Sequence, residues 1–290
     1  MVFRPPIQWY PGHIARAERQ LKEQLKHVDV VLEVIDARLP LASHHPQVPT
    51  WIGAKPRLLV VNRMDMIPPA SQRAWEEWFQ AQGETPYFTD AKQGRGIPAL
   101  KQAAQRAGET MNQRRRDRGL RPRPVRAVVM GFPNVGKSAL INRLVGRRAV
   151  RSARRAGVTR QLQWVRIADS IEMLDAPGII PVRLDDQAAA VKLAICEDIG
   201  EAAYDNQRVA AVLVDLLQDQ ATSAVLQQRY ALEPGTLTGE DFIQTLALRD
   251  YHGDKERVAC LLLNDFRKGN LGAIALEHPP SRLGPAEPES

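Results

Sequence analysis

Cysteine is nearly absent, with Cys196 and Cys260 the only two in 290 residues. Two thiols cannot build a disulfide framework, and their spacing suits no metal site. Both read as small buried hydrophobes, and a reducing, cytoplasmic setting is expected. Long apolar runs are absent too: no stretch approaches the roughly 18–20 residues that cross a bilayer. The opening MVFRPPIQWYPGH holds neither an apolar core of signal-peptide length nor a long Arg/Ser-rich leader. No lipidation signal and no internal repeat stand out. The expectation is a chain free of membranes, about two domains long. With 44% hydrophobic residues it can bury real cores.

Acid is scarce in one part of the chain only. Through Val182 there are 30 Lys/Arg against 15 Asp/Glu, a net of +15; from Arg183 onward there are 10 against 18, a net of −8, and the two sum to +7. A basic front favours polyanions and phosphate contacts, and the competing reading is solubility alone. The change of sign near residue 182 marks a candidate domain junction.

Apolar, Val/Ile-rich runs at 28–37, 57–62 and 125–131 suit strands buried on both faces, and 85–89 is a weaker member of the set. Residues 161–168 and 170–176 pattern as a hairpin. Helical spacing falls at 14–26, 71–82, 97–112 and 138–146, and strands alternating with helices predict an α/β layered sheet. NQRRRDRGLRPRPVR (112–126), with seven arginines and two prolines, reads as an exposed linker joining two pieces of one sheet. From Leu184 onward the period is helical, with further helices expected at 239–250 and 254–268. The tail EHPPSRLGPAEPES is expected to be disordered.

The stretch GFPNVGKSALINRL begins at Gly131 with the pattern Gly131-x4-Gly136-Lys137-Ser138, preceded by a strand and followed by a helix. Such a loop turns successive backbone N–H groups, here around Asn134, Val135, Gly136 and Ala139, toward phosphates. Lys137 is expected to reach the β- and γ-phosphates and the Ser138 hydroxyl to ligate magnesium. The positive end of the following helix adds to the cradle. Asp175-Ala176-Pro177-Gly178 closes a strand, as expected of an Asp near magnesium, acting through water, and of a Gly178 N–H that senses the γ-phosphate. Thr159 fits a switch threonine joining the magnesium shell. The competing readings are a plain turn for 175–178 and an ordinary surface threonine at 159.

The run VVNRMDM (60–66) ends a strand with Asn62-Arg63-Met64-Asp65. A carboxylate at Asp65 can accept from both the ring N–H and the exocyclic amine of guanine, a donor pair that adenine lacks on that edge. The loop Asp90-Ala91-Lys92 supplies an Ala91 N–H for the guanine carbonyl oxygen. Arg63 stands where lysine is usual, its aliphatic stem covering the base. The base reader thus precedes the phosphate loop in the chain.

WYPGHIARA (9–17), DARLPLASHHP (36–46), NRMD (62–65), DAKQGRGI (90–97), GFPNVGKS (131–138), GVTRQ (157–161) and DAPGI (175–179) together resemble the circularly permuted GTPases of the ribosome biogenesis GTPase A family, which assemble the large ribosomal subunit. The likeness covers residues 7–182. It implies a permuted P-loop GTPase domain over 1–182, with a mostly parallel sheet flanked by helices. A smaller all-α domain over 183–272 and a disordered tail over 273–290 complete the expected organisation. Loops function by their place in space rather than their order in the chain, which answers the order problem. The resemblance implies GTP as substrate, Mg2+ as cofactor, and the large-subunit precursor, rRNA and ribosomal proteins, as partner. A monomer is expected.

Many GTPases orient the attacking water with a glutamine directly after the Asp-x-x-Gly segment; here that position is Ile179. The resemblance assigns the role to His13, whose alternative is a structural or merely exposed histidine. Related GTPases with Pro-Asn in the phosphate loop use the asparagine to help bind potassium, so Asn134 has that role or a plain hydrogen-bonding one. The arginine runs over 114–126 and 143–160, seven each, are candidate rRNA-phosphate contacts or a solvated basic surface, and Arg267-Lys268 is a local basic patch in the acidic half. A GTP hydrolase and a GTP-gated scaffold with negligible turnover both fit. A small signalling switch is disfavoured by the arginine excess.

Overall fold

The computed structural model describes residues 7, 19–146, 163–168, 171–176, 186–200, 204–220 and 222–280. Six strands are present among them: β1 (Val30–Asp36), β2 (Arg57–Asn62), β3 (Pro86–Thr89), β4 (Val125–Met130), β5 (Gln163–Ala168) and β6 (Ile171–Asp175). They form one sheet in the order β3-β2-β1-β4-β6-β5. All neighbours are parallel except the β5–β6 edge hairpin. Every residue of β1 is buried, because a parallel strand with layers on both faces meets no water on either side.

Helices cover the sheet: α1 (Val48–Ile52), α2 (Pro69–Ala81), α3 (Ile97–Asp117) and α4 (Lys137–Val145), with a further helical stretch over 19–25. Leu21 and Leu25 of that stretch pack with Val31, Val128, Met130 and Leu174 on one face. Val30, Leu32, Val34, Ala127 and Val129 face the opposite way, toward Leu100 of α3 and Leu140 of α4. This is the strand period of two at work.

Helices α5 (Gln187–Ile195), α6 (Asn206–Asp219), α7 (Ala224–Tyr230), α8 (Gly239–Asp250) and α9 (Lys255–Lys268) follow. Side-chain caps start several of them: Asp186, Asp205, Thr238 and Asp254 each accept from a backbone N–H in the first turn. Leu213, Leu217, Phe242, Leu246, Leu262 and Phe266 interlock in their common core.

Three expectations need correction. The stretch over 112–126 is not all linker: α3 runs on to Asp117, since Gln, Met and Arg are good helix formers and basic side chains suit a helix C-terminus. Only 118–124 is irregular. Residues 273–280 are not a disordered tail: Ile274, Ala275 and Leu276 are buried, the Ile274 amide bonds the Met66 carbonyl after β2, and the Leu276 and Glu277 amides bond the Arg38 carbonyl after β1. Residues 281–290 lie outside the described residues. Cys196 is buried, but Cys260 is only partly so, its Sγ bonded to Glu256 Oε1 at 3.6 Å.

Candidate functional site

The sheet's C-terminal edge gathers the motifs. Register puts Asp36, Asn62 and Thr89 in one row across β1, β2 and β3, while β4 and β6 end beside them at Met130 and Asp175. The phosphate loop leaves β4 through Gly131, whose φ is 149° and where a Cβ would lie 2.1 Å from the Val34 carbonyl oxygen. It enters α4 through Gly136, whose φ is 100° and where a Cβ would lie 2.2 Å from Asn62 Nδ2. Only glycine fits either place. Asn134 sits between them in the left-handed region at φ 56°, a conformation asparagine tolerates better than most residues.

Asn62 joins the two separated motifs. Its Nδ2 donates to the Val135 carbonyl at 2.7 Å, and its Oδ1 accepts from Thr89 Oγ1 at 3.0 Å and from the Ala91 N–H at 3.2 Å. One buried amide therefore fixes phosphate loop, base-reading strand and the 90–92 loop together. The Ala91 N–H, expected to face a guanine carbonyl, is engaged by Asn62. Asp90 organises its loop: its Oδ1 accepts the Lys92 and Gln93 N–H groups at 2.9 Å each, and Arg95 binds its Oδ2. Arg143, in the second arginine run, donates to the Ala91 carbonyl at 3.2 Å and to that of Lys92. Though exposed, it ties α4 to the 90–92 loop.

Arg63, at φ 66°, reaches from the base-reading turn to the phosphate loop, donating to the Asn134 carbonyl and pairing through Nε with Asp36 Oδ2 at 3.3 Å. Asp36 and Arg38 are both fully buried and paired two-pronged, at 2.9 and 2.7 Å. Burial works to raise the Asp36 pKa, but Arg38, with Arg63 beyond it, holds the carboxyl below its usual range. Met64, Asp65 and Met66 form a 3₁₀ turn. No hydrogen bond to the Asp65 carboxylate exists among the described residues, and it is half-buried at the rim. A carboxylate so placed accepts what a ligand brings.

Lys137 is buried, its Nζ donating to the Gly131 and Phe132 carbonyls at 3.1 and 2.6 Å. Burial lowers its pKa to about 8, opposed by Asp175 and Asp198. A cationic ligand-binding group with this value is charged below about pH 8 and must bring a proton along above it. Affinity for GDP is therefore expected to fall about tenfold per pH unit above 8, a slope that a fluorescent-nucleotide titration from pH 7 to 9.5 measures.

Ser138 Oγ lies 3.2 Å from Asp175 Oδ2, and Asp175 Oδ1 is buried with no hydrogen bond. Burial raises the Asp175 pKa, against the pull of Lys137 and Ser138. Among the described residues no group of three or more His, Cys, Asp or Glu forms a cage. Mg2+ asks for no such cage, only one or two protein oxygens beside phosphates and water, and a free buried carboxylate oxygen next to a hydroxyl fits it. His13, Thr159 and Gly178 lie outside the described residues.

Three features carried no sequence signal. Asn134 Nδ2 donates to the Glu197 carbonyl at 2.7 Å, so the phosphate loop touches the segment after α5. Next to it, Asp198 is fully buried and neither carboxylate oxygen is bonded; burial and then Asp36 push its pKa well up. Arg267, read as a surface patch, caps α5 instead, donating to the Ala194 and Ile195 carbonyls at 2.9 Å each.

A Gly-x4-Gly-Lys-Ser loop on a central parallel strand, with the Asn-x-x-Asp turn two strands away and earlier in the chain, defines a circularly permuted P-loop GTPase followed by a smaller helical region. A family model described as 50S ribosome-binding GTPase matches residues 126–237. The chain is 34% identical over 282 residues to ribosome biogenesis GTPase A of Bacillus cereus, covering 94% of each chain. It is 32% identical over 283 residues to the protein of that name in Priestia megaterium, covering 94% of this chain and 97% of the other. Among solved structures, GNP-bound YlqF from T. maritima shares the fold with a TM-score of 0.62 at 23% identity, over 92% of this chain and 99% of that one. The chain belongs to the ribosome biogenesis GTPase A family, and it is a GTP hydrolase.

Proposed function

We propose that this GTPase binds the immature large ribosomal subunit, acts in its assembly, and hydrolyses GTP to GDP and phosphate as its release switch. The observation that carries the GTP half of the reading is the Asn62 amide, bonded at once to Val135 of the phosphate loop and Ala91 of the base loop. The ribosomal half rests on the relatives named ribosome biogenesis GTPase A and on the family description.

In this reading Asp65 accepts the guanine N–H and amine, and the Arg63 stem covers the base. Backbone N–H groups of Asn134 and of Gly136 to Ala139 line the phosphates, while that of Val135, expected among them, is engaged by the Pro133 carbonyl at 2.8 Å. Lys137 turns toward the β–γ bridging oxygen, where charge gathers as water adds to the γ-phosphorus and the bridging bond breaks. Ser138, and Asp175 through water, would hold Mg2+, with Thr159 completing the set; the ion supplies charge neutralisation between the phosphates. Gly178 senses the γ-phosphate, and His13 orients the water in place of the missing glutamine. The Asn134 side-chain oxygen, Oδ1, has no hydrogen bond among the described residues, its Nδ2 donating to Glu197 and its backbone carbonyl accepting from Arg63, and we assign Oδ1 to potassium.

The exposed Arg114, Arg116, Arg118 and Arg121 at and beyond the end of α3 are the proposed rRNA-phosphate contacts. Among the described residues no helix is long and apolar enough to cross a membrane, and the reading places a monomer in the cytoplasm. Domain limits at 1–182 and 183–272 remain part of it, with 273–280 now joined to the GTPase face.

Ile179 favours a second reading, a GTP-gated scaffold with negligible intrinsic turnover. Hydrolysis measured with and without large ribosomal subunits, in potassium and sodium salts at equal ionic strength, separates the two. A rise of at least tenfold with subunits in potassium is expected. No subunit binding at any salt concentration removes the ribosomal reading, and binding without stimulation leaves the scaffold.

A further inference from the structure

The segment 274–277, which follows the last helix, fastens itself along the base-reading side of the sheet. The Ile274 N–H donates to the Met66 carbonyl at 2.8 Å, one residue from Asp65. The Leu276 and Glu277 N–H groups both donate to the Arg38 carbonyl, at 2.7 and 3.2 Å. Ala275 fills the cluster formed by Ile35, Val61, Ile67 and Trp75. A Cβ at Gly269, just past α9, would lie 3.4 Å from Met66 Sδ, so the helical region backs the same turn twice.

Glu277 anchors this strap. Its Oε2 accepts the backbone N–H groups of Leu41 at 2.9 Å and Ala42 at 3.3 Å. Its Oε1 meets Lys192 Nζ of α5 at 3.4 Å. Its carbonyl accepts from Trp75 Nε1 of α2 at 3.3 Å. One largely buried carboxylate thus holds the loop after β1 and helix α5, with its own backbone tied to α2. A charged acceptor shared by two backbone donors is among the stronger hydrogen-bonding arrangements.

The Met64–Met66 turn that carries Asp65 is fixed at its ends, by Arg63 on Asp36 and the Asn134 carbonyl and by buried Ile67, and the strap supports it between them. It is a single 3₁₀ turn with no buried residue of its own, and such turns depend on tertiary support. We propose that Glu277 is a positioning residue for guanine recognition: by anchoring the 274–277 strap it holds the Met66 carbonyl, and with it Asp65, at the geometry that accepts both donors of the base. This rests on the reading of Asp65 given above. Discrimination by paired hydrogen bonds demands placement within a fraction of an ångström, whereas general affinity from the phosphates does not.

The test compares GDP with inosine diphosphate, which lacks the exocyclic amine that Asp65 accepts. In the full chain, the wild-type ratio of dissociation constants is expected to exceed tenfold. Glu277→Ala lowers that ratio at least threefold while affinity for inorganic pyrophosphate is unchanged. Glu277→Gln keeps an acceptor oxygen for Leu41 and Ala42 and restores most of the ratio. A second measurement, amide exchange at Asp65, Met66 and Ile67 in the nucleotide-free protein, is expected to quicken in Glu277→Ala and less so in Glu277→Gln. An unaltered ratio and unaltered exchange in a folded Glu277→Ala protein overturn the proposal while the guanine reading stands. A wild-type protein that binds both diphosphates equally, indifferent to Asp65→Ala, overturns both.

Discussion

Asp65→Asn is expected to exchange guanine for xanthine. The aspartate offers two acceptor oxygens to the N–H and amine of guanine, whereas asparagine offers one acceptor and one donor. The donor faces the guanine amine, so two charge-assisted bonds are lost and one like pair is forced together, costing about 3–4 kcal/mol, or roughly 10²–10³-fold in affinity. Xanthine carries a carbonyl where guanine has its amine, and the asparagine matches it. Asp65 has no hydrogen bond to the rest of the described chain, and its carboxylate sits at the rim, so the fold has little to lose. Displacement of a fluorescent nucleotide by GDP and by xanthosine diphosphate reads the exchange directly. Retention of GDP affinity within threefold would remove Asp65 from base recognition.

Lys137→Met is expected to separate stability from function. The ammonium is buried against the Gly131 and Phe132 carbonyls, and burial has drawn its pKa from 10.5 to about 8. That depression corresponds to a cost of ~3 kcal/mol for keeping the charge in the folded chain. Methionine fills the same space without the charge, and the two carbonyls left without a donor cost about 1–3 kcal/mol between them. The terms nearly cancel, so melting of the nucleotide-free protein should move little. Hydrolysis is another matter. Removing a fixed positive charge from the developing bridging oxygen lowers turnover by roughly 10²–10³-fold or more, and thermal stabilisation by added GDP should vanish with it. A variant that still hydrolyses GTP at a tenth of the wild-type rate would show that Lys137 is not where the charge is met.

The parts of the chain that declare themselves are those whose chemistry is local. Buried parallel strands read as unbroken Val/Ile runs at β1, β2 and β4. The phosphate loop is marked by glycines that no other residue can replace, and Asn62-x-x-Asp65 by its spacing after a buried strand. The partners of these groups were not legible. That Asn62 would bond to Val135, 73 residues away, follows only once strand order is known, although both motifs were visible separately. Asp198 lies in a stretch whose period reads as continuous helix although the helix stops at Ile195, and Glu277 in a segment with no motif and no periodicity, so the burial of each depends on what packs over it. The 273–280 stretch misled for the same reason: a short, Pro-flanked sequence has no helical or strand pattern, yet three backbone N–H groups and a few apolar side chains suffice to dock it. Arginines are ambiguous in the opposite sense, because exposed Arg143 and half-buried Arg267 read as surface yet bond to backbone carbonyls of other elements.

The strand order also has a meaning in time. A nascent polypeptide emerging N-terminus first can assemble β3, β2 and β1 long before β4 leaves the ribosome, and until then one flank of β1 has unsatisfied amides and carbonyls. Translation must proceed through Val125–Met130 to cover that flank, then through Asp175 to complete the row of strand ends around the phosphate loop. Only after α9 has been made can the Ile274 amide find Met66. The capacity to grip a nucleotide firmly should therefore appear late in biosynthesis, after a half-built sheet has waited for its centre.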